Sequence, residues 1–458
     1  MDRVLSYLEA NHDQALEGLK DFLRIPSVST HPHHKADVLH CAEYLADELR
    51  RIGMKRVDVV PTAGHPIVYA EWLEAPGQPT VLMYGHYDVQ PAEPFDLWES
   101  DPFDPTIRDD NLFARGSTDD KGQVWLHVKA LEAHLEQHGR LPVNVKMLIE
   151  GEEEVASAHL DEYIERHKED LTADVVMISD TTMFDYERPA IGYGLRGLVY
   201  MEIQIEGPNK DLHSGGYGGS VANPLNILSG IIAEMIDSDG RITIPGFYDD
   251  IVPLTDTERA AFTALAFSED EYAERLGVAE LKGEKGYSTL ERIWARPTLD
   301  VNGLLGGFTG EGSKTVIASK GMAKVSMRLV PNQDPEVIAQ AFEVYVKKLA
   351  PSSVKINILR HGTGKPILTP RDHPAVKAVD QAITQGFGIS PVYIREGGSI
   401  PVVATFQERL GLPTVLMGFG LPDCDAHAPN EKFNLKNFYR GIISAAWFYQ
   451  AYSKDSEA

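Results

Sequence analysis

Apolar positions along the chain fall into two periods, and the alternation between them predicts strands separated by helices. Val81–Tyr84, Val143–Ile149, Val175–Ile178 and Thr414–Phe419 are predominantly apolar runs, long enough for buried strands and too short for helices. A further strand is expected near Val57–Val60. Helical spacing is clearest at Val38, Leu39, Ala42, Leu45, Ala46, Leu49 and Ile52, with Gly53 placed to end that helix. A second helix is expected from Lys121 through Val124, Val128, Leu131 and Leu135 to Gly139. Strands alternating with helices imply an α/β fold, a mostly parallel sheet with helices on both faces.

From Arg196 to His361 the pattern changes. Leu198–Ile205 alternates as a half-exposed strand does, Asn223–Ile236 and Asp334–Leu349 read as helices, and Thr315–Leu329 and Val354–Leu359 read as strands. That order predicts an inserted α+β domain. The expected organisation is therefore 1–195 and 362–458 as two parts of one domain, with 196–361 between them. Within the insertion, 245–296 reads as a helical elaboration with a capping-box candidate at Thr255 and Glu258.

The four apolar runs share one feature: each hands over to polar residues where a strand would leave its sheet. The first ends in Gly85, His86, Tyr87 and Asp88, and the second in Glu150, Gly151 and Glu152 to Glu154. The third ends in Ser179 and Asp180, and the fourth leads through Gly420 into PDCDAHAPNE, which contains His427. In open α/β sheets ligands collect at the carboxyl ends of the strands. Asp119 and Asp120 lie between Gly116 and the start of the second helix, close to the same edge.

Each of these residues has an ordinary reading by itself. His86 or His427 would serve as a packed histidine, Asp119 or Asp120 as a helix cap, Asp180 as another cap, and Glu152 to Glu154 as a solvated acidic loop. Their common place at one edge favours metal binding. Asp88, two residues after His86, is expected to accept the second ring N–H and so fix the tautomer that binds metal. Two imidazoles with several carboxylates and no thiolate suit zinc, with manganese or cobalt as alternatives, and the surplus of carboxylates favours two ions sharing a bridge.

Composition narrows the function further. A chain of 458 residues, 43% hydrophobic and 24% charged, is that of an ordinary globular protein of more than one domain. Its formal net charge of -25 would repel nucleic acid and anionic membrane alike. The two cysteines, Cys41 and Cys424, do not suggest a disulfide framework. The first residues lack an apolar signal core, and no run approaches the roughly 18 apolar residues of a membrane helix. A cytoplasmic location is expected. Gly303–Gly312 is glycine-rich, but it lacks phosphate-loop spacing, and nucleotide binding is rejected.

HYDVQP, RGSTDDKG, EGEEEVAS, ISD, DLHSGGYGG, VSMRLVP, EGGSIPV and DAHAPNEK stand in the chain in that order. In order and spacing they resemble the dinuclear zinc peptidases that include carnosinase-like dipeptidases, aminoacylase-1 and carboxypeptidase G, most nearly the dipeptidase branch. The resemblance covers nearly the whole chain. It implies that His86 and Asp180 hold one metal and Glu154 and His427 the other, with Asp119 bridging and a cis peptide after it. It implies that Glu153 is the general base and that Asp88 orients His86. It makes the inserted domain a lid and dimerisation surface, whose His213 reaches the active site of the other subunit of a homodimer. Arg328, His361 and the Gly397, Gly398, Ser399 loop would grip the free carboxylate of a small peptide. The implied activity is hydrolysis of dipeptides, with deacylation of N-acyl amino acids or trimming of C-terminal residues as alternatives. A non-catalytic binding protein is a distant one. Two departures stand out: Ala156 where many relatives have Gly, and Ala428 where dipeptidases often have Ser.

Overall fold

A computed structural model gives the fold and describes residues 1–397 and 401–454. The chain forms two compact units. One comprises Met1–Tyr193, Thr369–Ile394 and the chain from Pro401; the other is Gly194–Leu368 with a short return beginning at Arg395. The fold is α/β: a mixed sheet with four parallel strands at its centre, flanked by helices, and an inserted α+β unit.

In the first unit the strands Asn144–Glu150, Thr80–His86, Val175–Ile178 and Thr414–Leu416 lie side by side and parallel. They are buried along almost their whole length, which is why they read as predominantly apolar runs. Antiparallel strands flank them. Ile67–Trp72 pairs with Asn144–Glu150 on one side and with Arg56–Val60 beyond; Ala190–Leu195 lies beside Thr414–Leu416 on the other. Neither Ile67–Trp72 nor Ala190–Leu195 was expected from the sequence. Ile67–Ala70 is an apolar run as long as Val175–Ile178 and was legible by the same criterion, whereas Ala190–Leu195 is broken by Gly192 and Gly194.

Register sets the level of the strand ends. His86 is opposite Glu150, and Tyr84 is opposite Ile178. His86 and Asp180, two residues further along each strand, therefore leave the sheet at the same height. The helix Lys121–His138 starts from the same edge and is buried from Lys121 through His134, packing against the helices Leu435–Ala451 and Asp2–Ala10. Its second residue must be glycine: a Cβ on Gly122 would lie 1.9 Å from the Ser117 carbonyl oxygen. Gly139, at φ 64°, closes the helix.

The second unit has its own four-stranded antiparallel sheet in the order Thr298–Gly306, Lys320–Leu329, Gly197–Glu206, Lys355–Gly364. Val199, Met201, Ile203 and Ile205 pack with Val325 and Met327 and with Leu228, Ile231, Phe342 and Val346 from the helices Pro224–Ala233 and Pro335–Leu349. Asn223 and Asp334 cap those helices, and Thr255 and Glu258 form the expected capping box. The glycine-rich stretch enters the edge strand Thr298–Gly306, where Leu304 and Leu305 are 62% and 64% exposed.

Candidate metal centre

The loops leaving the first unit's parallel strands bring His86, Asp119, Glu154, Asp180 and His427 together. His86 Nε2 lies 3.0 Å from Asp119 Oδ1 and 3.7 Å from Asp180 Oδ2. His427 Nε2 lies 2.9 Å from the other Asp119 oxygen, Oδ2, and 3.2 Å from Glu154 Oε2. Two groups result, His86–Asp119–Asp180 and Asp119–Glu154–His427, and in each the candidate ligand atoms lie within 4.8 Å of one another. A divalent ion bound at about 2.0–2.2 Å from each ligand fits that spacing. The residues present therefore fit a pair of ions with Asp119 facing both.

The Asp119–Asp120 peptide is cis. Asp119 faces the two groups, whereas Asp120 turns into the protein, fully buried, and accepts the His86 backbone N–H through Oδ2 at 3.2 Å. Asp120 occupies the N-cap position of the following helix without capping it through its side chain.

The sequence reading placed the Asp88 carboxylate on the second ring N–H of His86. In the structure that hydrogen bond goes to the Asp88 backbone carbonyl, at 3.0 Å, and the nearer carboxylate oxygen is 3.5 Å away. A carbonyl only accepts, so Nδ1 carries a proton, and Nε2, which faces the carboxylates, is the ring nitrogen left to bind a metal. The Asp88 carboxylate is used elsewhere. Its two oxygens accept the backbone N–H groups of Glu153 and Glu154 at 3.2 Å each, tying the His86 loop to the turn Glu153–Val155.

Charge is concentrated here. Burial opposes protonation of His86, yet Asp119, Asp180 and Asp88 hold its pKa well above the ordinary histidine value. Asp119 and Glu154 raise that of His427 to about 10. Burial pushes Asp180 up, with Asp119 adding to it. Burial, then the carboxylates of Asp180, Glu154 and Asp119, push Glu153 up to about 8, against the pull of His86. Among the described residues the Glu153 side chain makes no hydrogen bond or ion pair.

Three residues of this centre were not foreseen. Gln90 donates to Glu154 Oε2 at 2.7 Å. Glu431 accepts two donors on each oxygen: Arg115 Nη1 at 2.9 Å and Gly116 N–H at 2.8 Å on Oε2, Thr118 N–H at 2.8 Å and Asp119 N–H at 3.1 Å on Oε1. Burial raises the Glu431 carboxyl and Arg115 opposes it; with four donors converging on two oxygens, the ionised form is the one this geometry serves. Arg115 also donates to the Ala428 carbonyl, beside His427, at 3.2 Å. All three lie in motifs quoted above, but only the folded chain pairs them.

The remaining predicted residues lie in the second unit. His213 is exposed, and its Nδ1 accepts the Gly216 N–H at 3.2 Å, so the neutral ring carries its proton on Nε2. His361 interrupts the pairing of its strand and contacts Glu202 at 2.9 Å. Arg328 sits opposite Leu198 in the sheet. Beside it, Arg196 donates to the Gly397 carbonyl at 2.8 Å, and burial, then Arg328, lowers its pKa to about 10. Gly398 and Ser399 lie outside the described residues.

The His- and carboxylate-lined edge of the parallel strands is built to hold divalent metal ions. The profile of the Peptidase family M20/M25/M40 matches residues 82–448. The chain belongs to that family and is a metallopeptidase. It is 35% identical over 457 residues to the Cys-Gly metallodipeptidase of Schizosaccharomyces pombe, covering 96% of each chain. It is 33% identical over 470 residues to the human Beta-Ala-His dipeptidase, covering 98% of this chain and 92% of the relative. Among solved structures, an M20 family metallo-carboxypeptidase from Sulfolobus solfataricus superposes with a TM-score of 0.85 at 35% identity, covering 96% of this chain and 99% of the other.

Proposed function

We propose that the protein is a cytoplasmic dipeptidase that uses two divalent ions, zinc first among them, to hydrolyse peptides with a free C-terminal carboxylate. One observation carries the reading: both oxygens of Asp119 are engaged, each by the histidine of a separate ligand group. His86 and Asp180 would hold one ion and Glu154 and His427 the other. The ions would supply Lewis acidity and activate a water for attack at neutral pH. Glu153, its carboxylate uncommitted beside Glu154, would take the proton from that water and return it to the leaving amine. Asp88 would keep Glu153 and His86 in place through the contacts above.

Arg328, His361 and the loop from Gly397 would hold the substrate carboxylate. The mutual repulsion of Arg196 and Arg328 supports an anion there. The protein would work as a homodimer through the second unit. Its open edge strand, with Leu304 and Leu305 exposed, suits pairing with a second copy. The partner subunit's His213 would then offer Nε2–H to the developing oxyanion. The unpaired, buried Cys41 and Cys424 suit a reducing compartment, and the net charge of -25 disfavours nucleic acid and anionic membranes as partners. Among the described residues no helix is long and apolar enough to cross a membrane.

The likeness to a metallo-carboxypeptidase favours one second reading, removal of C-terminal residues from longer peptides. Apo-protein reconstituted with zinc or manganese and given dipeptides, tripeptides and N-acyl amino acids separates the two. Turnover confined to dipeptides is expected; faster cleavage of tripeptides would overturn the dipeptidase assignment.

A further inference from the structure

We propose that Gln123 is a positioning residue that sets the separation of Asp119 and Asp180, and with it the fit of the His86–Asp119–Asp180 group to its ion. The proposal rests on the metal reading above. Gln123 is the third residue of the helix Lys121–His138 and is 1% exposed. Its Nε2 donates to the carbonyls of Thr118 at 3.1 Å and Thr181 at 3.3 Å, and its Oε1 accepts the Phe419 N–H at 2.8 Å. The amide has one workable orientation. Reversed, it would face an oxygen to two carbonyls and an NH2 to an N–H.

The partners are adjacent to the ligands. Thr118 immediately precedes Asp119, Thr181 immediately follows Asp180, and Phe419 lies in the segment that leads from the strand Thr414–Leu416 to His427. One side-chain amide thus joins three sheet-edge loops. The loops are closely packed and tied: a Cβ on Gly418 would lie 2.1 Å from the Thr181 carbonyl oxygen, and Thr118 is held by Glu431 through its N–H and by the Lys432 carbonyl through its hydroxyl. The second ligand group has other supports, with Glu154 on Asp88 and Gln90, and the chain beside His427 on Arg115. Loss of Gln123 should therefore act unevenly on the two ions.

The experiment is titration of the full-length apo-protein with zinc against a chromophoric chelator, together with the d–d spectrum of the cobalt-loaded form. In Gln123→Met, which fills similar space without hydrogen bonds, one site should weaken by about 10- to 100-fold, as removal of such outer partners does elsewhere. The other should stay within about threefold. The cobalt spectrum should change in the bands of the first ion bound or the second, not both. Should the Met variant not fold, Gln123→Glu carries the test. It keeps the acceptor for Phe419 and replaces only the donor facing the two carbonyls, and it should show the same one-sided loss. Equal weakening of both sites, or none in a folded variant, would overturn the role of Gln123. A wild-type protein that binds no metal would overturn the metal reading itself.

Discussion

Arg115 and Glu431, 316 positions apart in sequence, meet at 2.9 Å with side chains 1% and 0% exposed. Through Glu431 the same contact reaches the backbone N–H of Asp119, and through Arg115 it reaches the carbonyl beside His427. The candidate ligand that faces both groups and the candidate that completes the second are thus held by one buried ion pair.

Breaking that pair should be expensive, because one charge stays buried without its partner. We expect Glu431→Gln to lower unfolding stability by about 3–5 kcal/mol. Arg115→Met should cost less, since three backbone N–H groups still serve the carboxylate. Urea midpoints of the apo-proteins measure both, and a loss under about 1 kcal/mol for Glu431→Gln would contradict the pairing's structural weight.

Glu153→Gln should reduce kcat by about 10²–10⁴-fold, the usual weight of general acid–base catalysis, while zinc content stays the same. If the partner subunit's His213 completes each site, Glu153→Gln and His213→Ala proteins, each nearly inactive, should regain activity when mixed and allowed to exchange subunits. One site in such a heterodimer has both residues intact. Mixtures no more active than their parents would place His213 outside the reaction.

What the sequence made legible was the sheet edge. Long apolar runs ending in His86, Glu150 and Asp180 could be read because parallel strands are buried on both faces and carry no alternation to confuse them. Exposed or irregular pairings were not legible: Thr298–Gly306 is largely exposed, has no alternation and carries a register shift, so it is a strand only because a neighbour exists. The same limit applied inside the site. Asp88 was singled out by its spacing from His86, but the group that bonds the ring is its backbone carbonyl, which no pattern of side chains announces. Arg115, Glu431 and Gln123 were invisible for a related reason, as each acts on backbone groups of segments remote in sequence.

Ala156 has φ 71° and ψ 28°, in the left-handed region, directly after the turn that carries Glu153 and Glu154. A Cβ there costs about 1–2 kcal/mol, and glycine's greater loss of freedom on folding returns about 0.5–1 of it. Ala156→Gly should therefore raise stability by about 0.5–1 kcal/mol. The urea midpoint is the measure, and a lowered midpoint would mean that the methyl group makes contacts outweighing the strain.

Acid should destabilise the protein through two buried histidines. His127 and His134 lie on the buried helix Lys121–His138, bonded to Ser179 and Tyr449 and to the Ala446 carbonyl respectively. Burial lowers their pKa values to about 3 and about 4. In the unfolded chain a histidine titrates near 6.5, so between those values the unfolded state holds protons that the native state refuses. The stabilisation is complete above pH 6.5 and is lost as pH falls. From pH 6 to pH 5 the two should together remove about 2 kcal/mol, at up to 1.36 kcal/mol per unit each. Urea midpoints of apo wild type and His127→Gln at the two pH values isolate one share: the variant should lose about 1 kcal/mol less over that step. An unchanged pH dependence would show that His127 takes up its proton in the folded protein.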